Sequence, residues 1–394
     1  MAIKLLNKDE ERSFKDLNEL KEFGLLREQN YSWVEFDTAN SEYVPLENMP
    51  ICVPMIRDEL GISREVSNDT IVSQMQDTKL ALSYPVYETS SRDCYPVGPT
   101  AYKGLLERVG ATCSALSSLK DTRKMDEVSP SDKATICNLL KKYTKGKSLL
   151  LLGDEMVLAD LSSDYVRLSF TEILNITEQE LKSNFEFVKF IDGRVSHESS
   201  LIEFKFIDDE IDNNLYDAFA RIGLDISDYS AHIIVMTSDV GLSGANVYPF
   251  IRSESNGDII QIGTPIKLEH IGDANMDKFR ENLLSCFASF KEASDHLEEM
   301  AKIKISNPAD CLYNIGKKIA LPEKILRELC EEFDTEYPYS CSGIQVYVKL
   351  FEVLDNYVTS SEEKISDIRY MQLSENITRI CFYSLIRFDM PVIK

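Results

Sequence analysis

Long apolar runs are missing from this chain. No stretch of its 394 residues approaches the roughly 20 consecutive apolar residues that a bilayer-spanning helix needs. The opening MAIKLLNKDEER carries charge where a secretion signal keeps its apolar segment, so the expected location is the cytoplasm of a host cell. Cysteines at ligand spacing are missing too. The nine present are odd in number and none forms C-x-x-C, which argues against a disulfide framework or zinc finger and for reduced thiols. Positive charge is scarce: 43 Lys and Arg against 66 Asp and Glu leave −23. A surface of that sign does not coat nucleic acid on every side. It leaves room for a local basic groove, or for an acidic decoy of DNA.

Signatures of catalysis are also lacking. Gly146-Lys147-Ser148 resembles the end of a phosphate-binding loop, but that pattern needs glycine where Lys141 stands and a helix where a strand is expected. Gly241-Leu-Ser-Gly244 resembles a nucleophile elbow, which would need glycine in place of Ala245. A tight turn accounts for its glycines. His197, His232, His270 and His296 are the only histidines, and none has a metal-ligand spacing. Asp208, Asp209, Glu210 and Asp212 read as a solvated loop leaving a strand, not as a cation site. Trp33, the single tryptophan, reads as a core anchor. No enzyme, cofactor or metal is expected.

What the chain does have is a structured middle. From Ala231 to Gly272 it reads AHIIVMTSDVGLSGANVYPFIRSESNGDIIQIGTPIKLEHIG. His232–Met236 is expected to be a buried strand, because β-branched side chains pack well on a pleated surface. Asn256-Gly257 lies between the extended runs Val247–Arg252 and Asp258–Ile262 and predicts a hairpin, both residues tolerating positive φ.

Around that centre the periodicity predicts an amphipathic surface helix over residues 7–26 and strands at Thr70–Gln74 and Leu80–Tyr87. A helix runs from Thr100 to about Leu119 and another from Ser131, with Gly146 at its C-terminal end. Strands follow at Ser148–Leu152 and Met156–Leu161, a short helix at Thr177–Phe185, and paired strands at Phe187–Ile191 and Leu201–Ile207. Beyond Asn275, a stripe from Met276 through Phe279, Leu283, Leu284, Phe287, Phe290 and Leu297 to Met300 predicts a long helix facing inward. Pro322–Phe333, Ile344–Tyr357 and Leu373–Ile386 read as further helices. The expected class is α+β, a mixed central sheet with hairpins followed by a mainly helical C-terminal region. The expected segments are 1–98 (extended and mixed), 99–274 (the central core) and 275–394 (helical).

Several segments recur in an order known elsewhere. They are Ala101-Tyr-Lys-Gly-Leu-Leu-Glu-Arg-Val-Gly110, Leu158-Ala-Asp-Leu-Ser-Ser-Asp-Tyr-Val-Arg-Leu168, Ile233-Ile-Val-Met-Thr-Ser-Asp-Val-Gly-Leu-Ser-Gly244 and His270-Ile-Gly-Asp273. Over roughly residues 95–305 the chain thereby resembles the phage- and plasmid-borne domain-of-unknown-function family 932. Members often carry C-T-N-G after the central strands; here Ser253-Glu-Ser-Asn-Gly257 keeps only Asn-Gly. The resemblance implies a prophage or mobile-element origin and marks Ser238, Gly241, Ser243, His270 and Gly272 as motif positions. It brings no catalytic role.

One charge contrast remains. Between Thr100 and Lys147 there are ten basic residues against five acids, +5 in a chain of −23. Lys120, Arg123, Lys124, Lys141, Lys142, Lys145 and Lys147 are the candidate phosphate contacts. The expected function is therefore a non-enzymatic phage, prophage or plasmid accessory protein that binds nucleic acid, single-stranded DNA above all, in replication or recombination. Single-strand annealing by a homo-oligomer is one form of it. The alternative is an acidic factor that binds a host or phage protein, as an anti-defence decoy or a virion component. No membrane partner is expected.

Overall fold

The computed structural model describes residues 11–36, 41–45, 56–57, 63–64, 80–85, 92–108, 128–143, 147–153, 156–220, 226–255, 257–360 and 365–392. The chain is α+β. It opens with strand β1 (Glu11–Phe14) and helix α1 (Leu17–Gln29), followed by β2 (Ser32–Phe36), β3 (Glu42–Pro45), β4 (Leu80–Pro85) and β5 (Arg92–Pro96). Helices α2 (Pro99–Arg108) and α3 (Pro130–Leu140) precede β6 (Ser148–Gly153) and β7 (Met156–Ser162). Next come α4 (Phe170–Asn184), β8 (Phe187–Ser196), β9 (Ser200–Ile207) and α5 (Asp209–Ala220). Strands β10 (Tyr229–Thr237), β11 (Ala245–Ser253), β12 (Ile259–Gln261) and β13 (Ile266–Leu268) complete the middle. The C-terminal region is helical: α6 (Met276–Lys302), α7 (Pro308–Lys318), α8 (Glu323–Glu336), α9 (Gly343–Ser360) and α10 (Asp367–Ser384).

The central sheet has seven strands in the order β1-β8-β9-β10-β11-β12, with β13 also pairing with β11. Each of these pairings is antiparallel, where a mixture of directions was expected. Hairpin connections such as Ser196–Ser200 impose that direction. Smaller sheets join β2-β6-β7 and β3-β4-β5.

Alternation along β9, Ser-Leu-Ile-Glu-Phe-Lys-Phe-Ile, divides the sheet into two faces. Ile202, Phe204 and Phe206 point inward, where Phe206 meets Phe290 of α6 edge-on at 5.0 Å. Full burial of each such side chain contributes about 1.5–3 kcal/mol. Leu201, Glu203, Lys205 and Ile207 take the outer face. The inner core collects side chains from Leu20 to Leu385, so it draws on all three expected segments. A second cluster joins Tyr43, Leu80, Leu82, Tyr102, Leu105, Cys137, Leu150 and Val157.

The expected strand at His232–Met236 lies inside β10, and the hairpin pairs Phe250 with Gln261. Gly257 takes φ +82°, which only glycine adopts cheaply; Asn256 lies outside the described residues. Helix α6 starts after Asn275, whose side chain accepts from the Lys278 N–H at 2.9 Å. Its stripe is buried from Phe279 to Met300 except at Leu284, which is 40% exposed, and Met276 at its start is half-buried.

Other expectations needed correction. Residues 7–26 are not one surface helix: Glu11–Phe14 is a strand, and α1 buries Leu20 and Phe23 in the main core. Helix α4 begins at Phe170, a turn and more before the expected start, because Ser169 caps it by accepting from the Glu172 N–H. The acids at 208–212 open helix α5. Asp208 accepts from Ile211 N–H at 3.0 Å, and carboxylates in a first turn face the positive pole of the helix. Helix α7 was not foreseen. The Thr70–Gln74 strand, Gly146 and the helix beyond Arg108 as far as Leu119 lie outside the described residues.

Candidate functional site: the motif joint and the outer sheet face

The motif positions gather in one place. Ser238 is fully buried, its Oγ donating to the Glu198 carbonyl at 2.5 Å and accepting from the Leu242 N–H at 3.2 Å. Gly241 has φ +79°, and a Cβ there would lie 2.6 Å from Leu161. The Ser243 hydroxyl donates to the Gly244 carbonyl and accepts from Asn246 Nδ2 at 3.0 Å. His270 directs Nδ1 at the Val166 carbonyl at 2.9 Å, and its ring stacks on Tyr165 at 4.8 Å. Tyr165 stacks in turn on Trp33 and donates to the Ser238 carbonyl. Gly272, at φ +68°, turns the chain in open space.

This cluster is a joint that ties the β2-β6-β7 sheet and α1 to the turn after β10. Beneath it a buried ion pair joins Arg27 to Asp239, and Tyr31 donates to the same carboxylate oxygen at 3.1 Å. Burial pushes the His270 pKa below its usual 6.5, and the carbonyl of Val166 only partly offsets that. The Ser243 hydroxyl bonds to Gly244 and Asn246, while the Ser243 backbone lies at the His270 ring. Sequence reasoning singled out Ser238, Gly241, Ser243, His270 and Gly272; it quoted Tyr165 and Asp239 only as members of the motif segments and missed Arg27 and Tyr31.

The candidate lysines are less concentrated than their order in the chain implies. Lys120, Arg123, Lys124 and Lys145 lie outside the described residues. Lys141 is buried, and is therefore not part of an exposed charge patch. Lys142 is exposed. Lys147 is exposed as well, 3.7 Å from Glu35.

The outer face of the central sheet carries a polar constellation that the sequence reading missed. Glu203 of β9 and His232 of β10 are both buried, with His232 Nδ1 2.7 Å from Glu203 Oε1. Arg252 of β11 donates through Nη2 to Glu203 Oε2 at 2.9 Å. On the far side of the ring, His232 Nε2 lies 3.0 Å from Ser230 Oγ. Burial alone would raise the Glu203 carboxyl, but His232 and Arg252 together hold it below its ordinary value. The Ser230, His232 and Glu203 succession has the spacing of a catalytic relay. The Ser230 hydroxyl donates to Glu254 Oε1 at 2.5 Å, so that carboxylate and the His232 ring meet at the same oxygen.

Helix α10 covers one end of this face. Met371 packs there with Leu201, Ile234, Met236, Tyr248 and Phe250, while Asp367 holds Arg194 at 2.8 Å and Glu375 holds Lys267 at 2.8 Å. The other end is open. Phe187 and Ile207 sit directly opposite each other, 45% and 39% exposed. Two residues along, Lys189 faces Lys205 across the same strand pair. Like charges in that position repel. Lys205 is held by Glu254 at 2.5 Å, whereas Lys189 is exposed and has no ion-pair partner among the described residues.

No family model matches the chain, and neither a curated protein nor a solved structure matches it.

Proposed function

We propose that this is a non-enzymatic nucleic-acid-binding protein, an accessory of a mobile element, that lays a single strand across the open corner of its outer sheet face. The observation that carries the reading is the exposed Phe187–Ile207 pair beside Lys189, an exposed lysine that stands opposite Lys205 and has no ion-pair partner among the described residues. An aromatic face accepts any base by stacking, and ammonium groups a few ångströms away meet the backbone phosphates. The corner is narrow and the rest of the chain carries the −23, so a flexible single strand fits it better than a rigid duplex. Lys142 and Lys147 form a lesser exposed site on the same reading.

The test is fluorescence anisotropy with a labelled oligothymidylate over a range of salt. Phe187→Ala is expected to weaken binding by about 1–3 kcal/mol, the loss of one stacked base. Lys189→Gln should flatten the salt dependence by about 0.7 in log–log slope. Lys142→Gln with Lys147→Gln tests the lesser site in the same assay. No binding by the parent at low salt would end the reading.

The alternative is a protein-binding factor. A groove of about 810 Å³ between α7 and α8 favours it, since Asp310, Glu323, Glu331 and Asp334 line it against Lys317 and Arg327. A lysine-rich peptide that binds while the oligonucleotide does not would make this the better account.

A further inference from the structure

We propose that Lys205 and Ser230 are the phosphate ligands of the open corner, and that Glu254 is a built-in competitor that occupies them until a phosphate displaces it. This rests on the single-strand reading and names the groups that hold the strand. Glu254 Oε1 takes both the Lys205 ammonium at 2.5 Å and the Ser230 hydroxyl at 2.5 Å. Its own side chain is 53% exposed while that of Lys205 is 18% exposed, so the carboxylate sits as a removable lid on a largely fixed cation. A phosphodiester oxygen offers the same two donors the same kind of anionic acceptor.

The exchange is close to neutral in itself. One anion leaves Lys205 and Ser230 as another arrives, and Glu254, just beyond the end of β11, is released into water. What favours the phosphate is the neighbouring Lys189, which Glu254 leaves without a counter-charge. The deeper carboxylate cannot make the same move. Glu203 is held by His232 and Arg252 at 3% side-chain exposure, so it keeps the floor of the site fixed during exchange. Asp212 also acts electrostatically on Lys205, and Glu186 and Asp208 adjoin Phe187 and Ile207 along the chain; none of the three makes a hydrogen bond to these ligands among the described residues.

Anisotropy with a short labelled oligothymidylate at low salt tests the assignment on the full chain, with melting curves to show that each variant is folded. Glu254→Gln should bind up to about fivefold tighter than the parent, the range of an exposed ion pair. That gain should vanish when Lys205→Gln is added, and Glu186→Gln, which removes a nearby charge without freeing Lys205, should give none. Equal affinity of Glu254→Gln and parent would overturn the proposal while leaving the single-strand reading in place. So would a gain that survives Lys205→Gln, or one that Glu186→Gln reproduces. If neither parent nor Glu254→Gln binds, the single-strand reading falls and this proposal with it.

Discussion

The two ends of the outer sheet face are made by the same strands and differ in what lies over them. At the covered end, Leu201 and Met236 share a cluster with Met371 of α10, and the charges nearby are paired: Arg194 with Asp367 and Asp192, Lys267 with Glu375. At the open end, Ile207 and Lys205 of the same strand β9 have water or Glu254 beside them. Between the two ends buried Glu203 and His232 and half-buried Arg252 form a polar seam. A strand therefore does not carry one environment along its length; the covering element decides where packing stops and solvation begins. Where it stops, unmatched groups accumulate, and those are the groups available to a ligand.

The sharpest way to break this comparison is to remove the cover. Met371→Ala deletes a fully buried side chain that touches both β10 and β11, and should cost about 2–5 kcal/mol in urea unfolding. A cost below about 1 kcal/mol would mean that α10 rests loosely on the sheet and that the covered end is not distinct.

A smaller effect is expected at the motif joint on acidification. His270 has its pKa lowered by burial, so below pH 6.5 the unfolded chain binds the proton that the folded chain refuses. Stability should therefore fall as pH drops through 6.5, by at most about 1.4 kcal/mol per pH unit from this group. His270→Gln should remove that part of the slope between neutral and mildly acidic pH. An unchanged slope in urea midpoints would show that the ring is not closed off from water.

Much of the fold was legible because it follows from local pattern. The β-branched run at His232–Met236, the Asn-Gly turn and the stripe of α6 each fix an element from neighbouring residues alone. The polar seam was legible in part. A glutamate inside Leu201-Ile-Glu-Phe and a histidine opening an apolar run are local inconsistencies that mark a buried network, but only register shows that they meet. Arg27 and Asp239 were out of reach altogether. No pattern links residues 212 apart until the sheet places them together. The lysine cluster erred in the opposite direction, since nearness in sequence put Lys141 beside Lys142 while the fold buries one and exposes the other.

The smallest expected effect lies at the open end. Ile207→Ala removes a side chain already 39% exposed and should change stability by less than about 1 kcal/mol. A loss comparable to that of Met371→Ala would mean that the corner is packed against something, and would erase the distinction between the two ends.

The Arg27–Asp239 pair also bears on how the chain is made. Helix α1 leaves the ribosome long before the turn that receives its arginine, and synthesis at about 5–20 residues per second separates the two by roughly 10–40 s. The separation itself is 212 residues. For much of that interval Leu20 and Phe23 have no helix α4 or strand β8 to pack on, since those begin at Phe170 and Phe187. Helix α1 thus waits for partners made much later in the chain, and its apolar face is exposed on the nascent chain until they arrive.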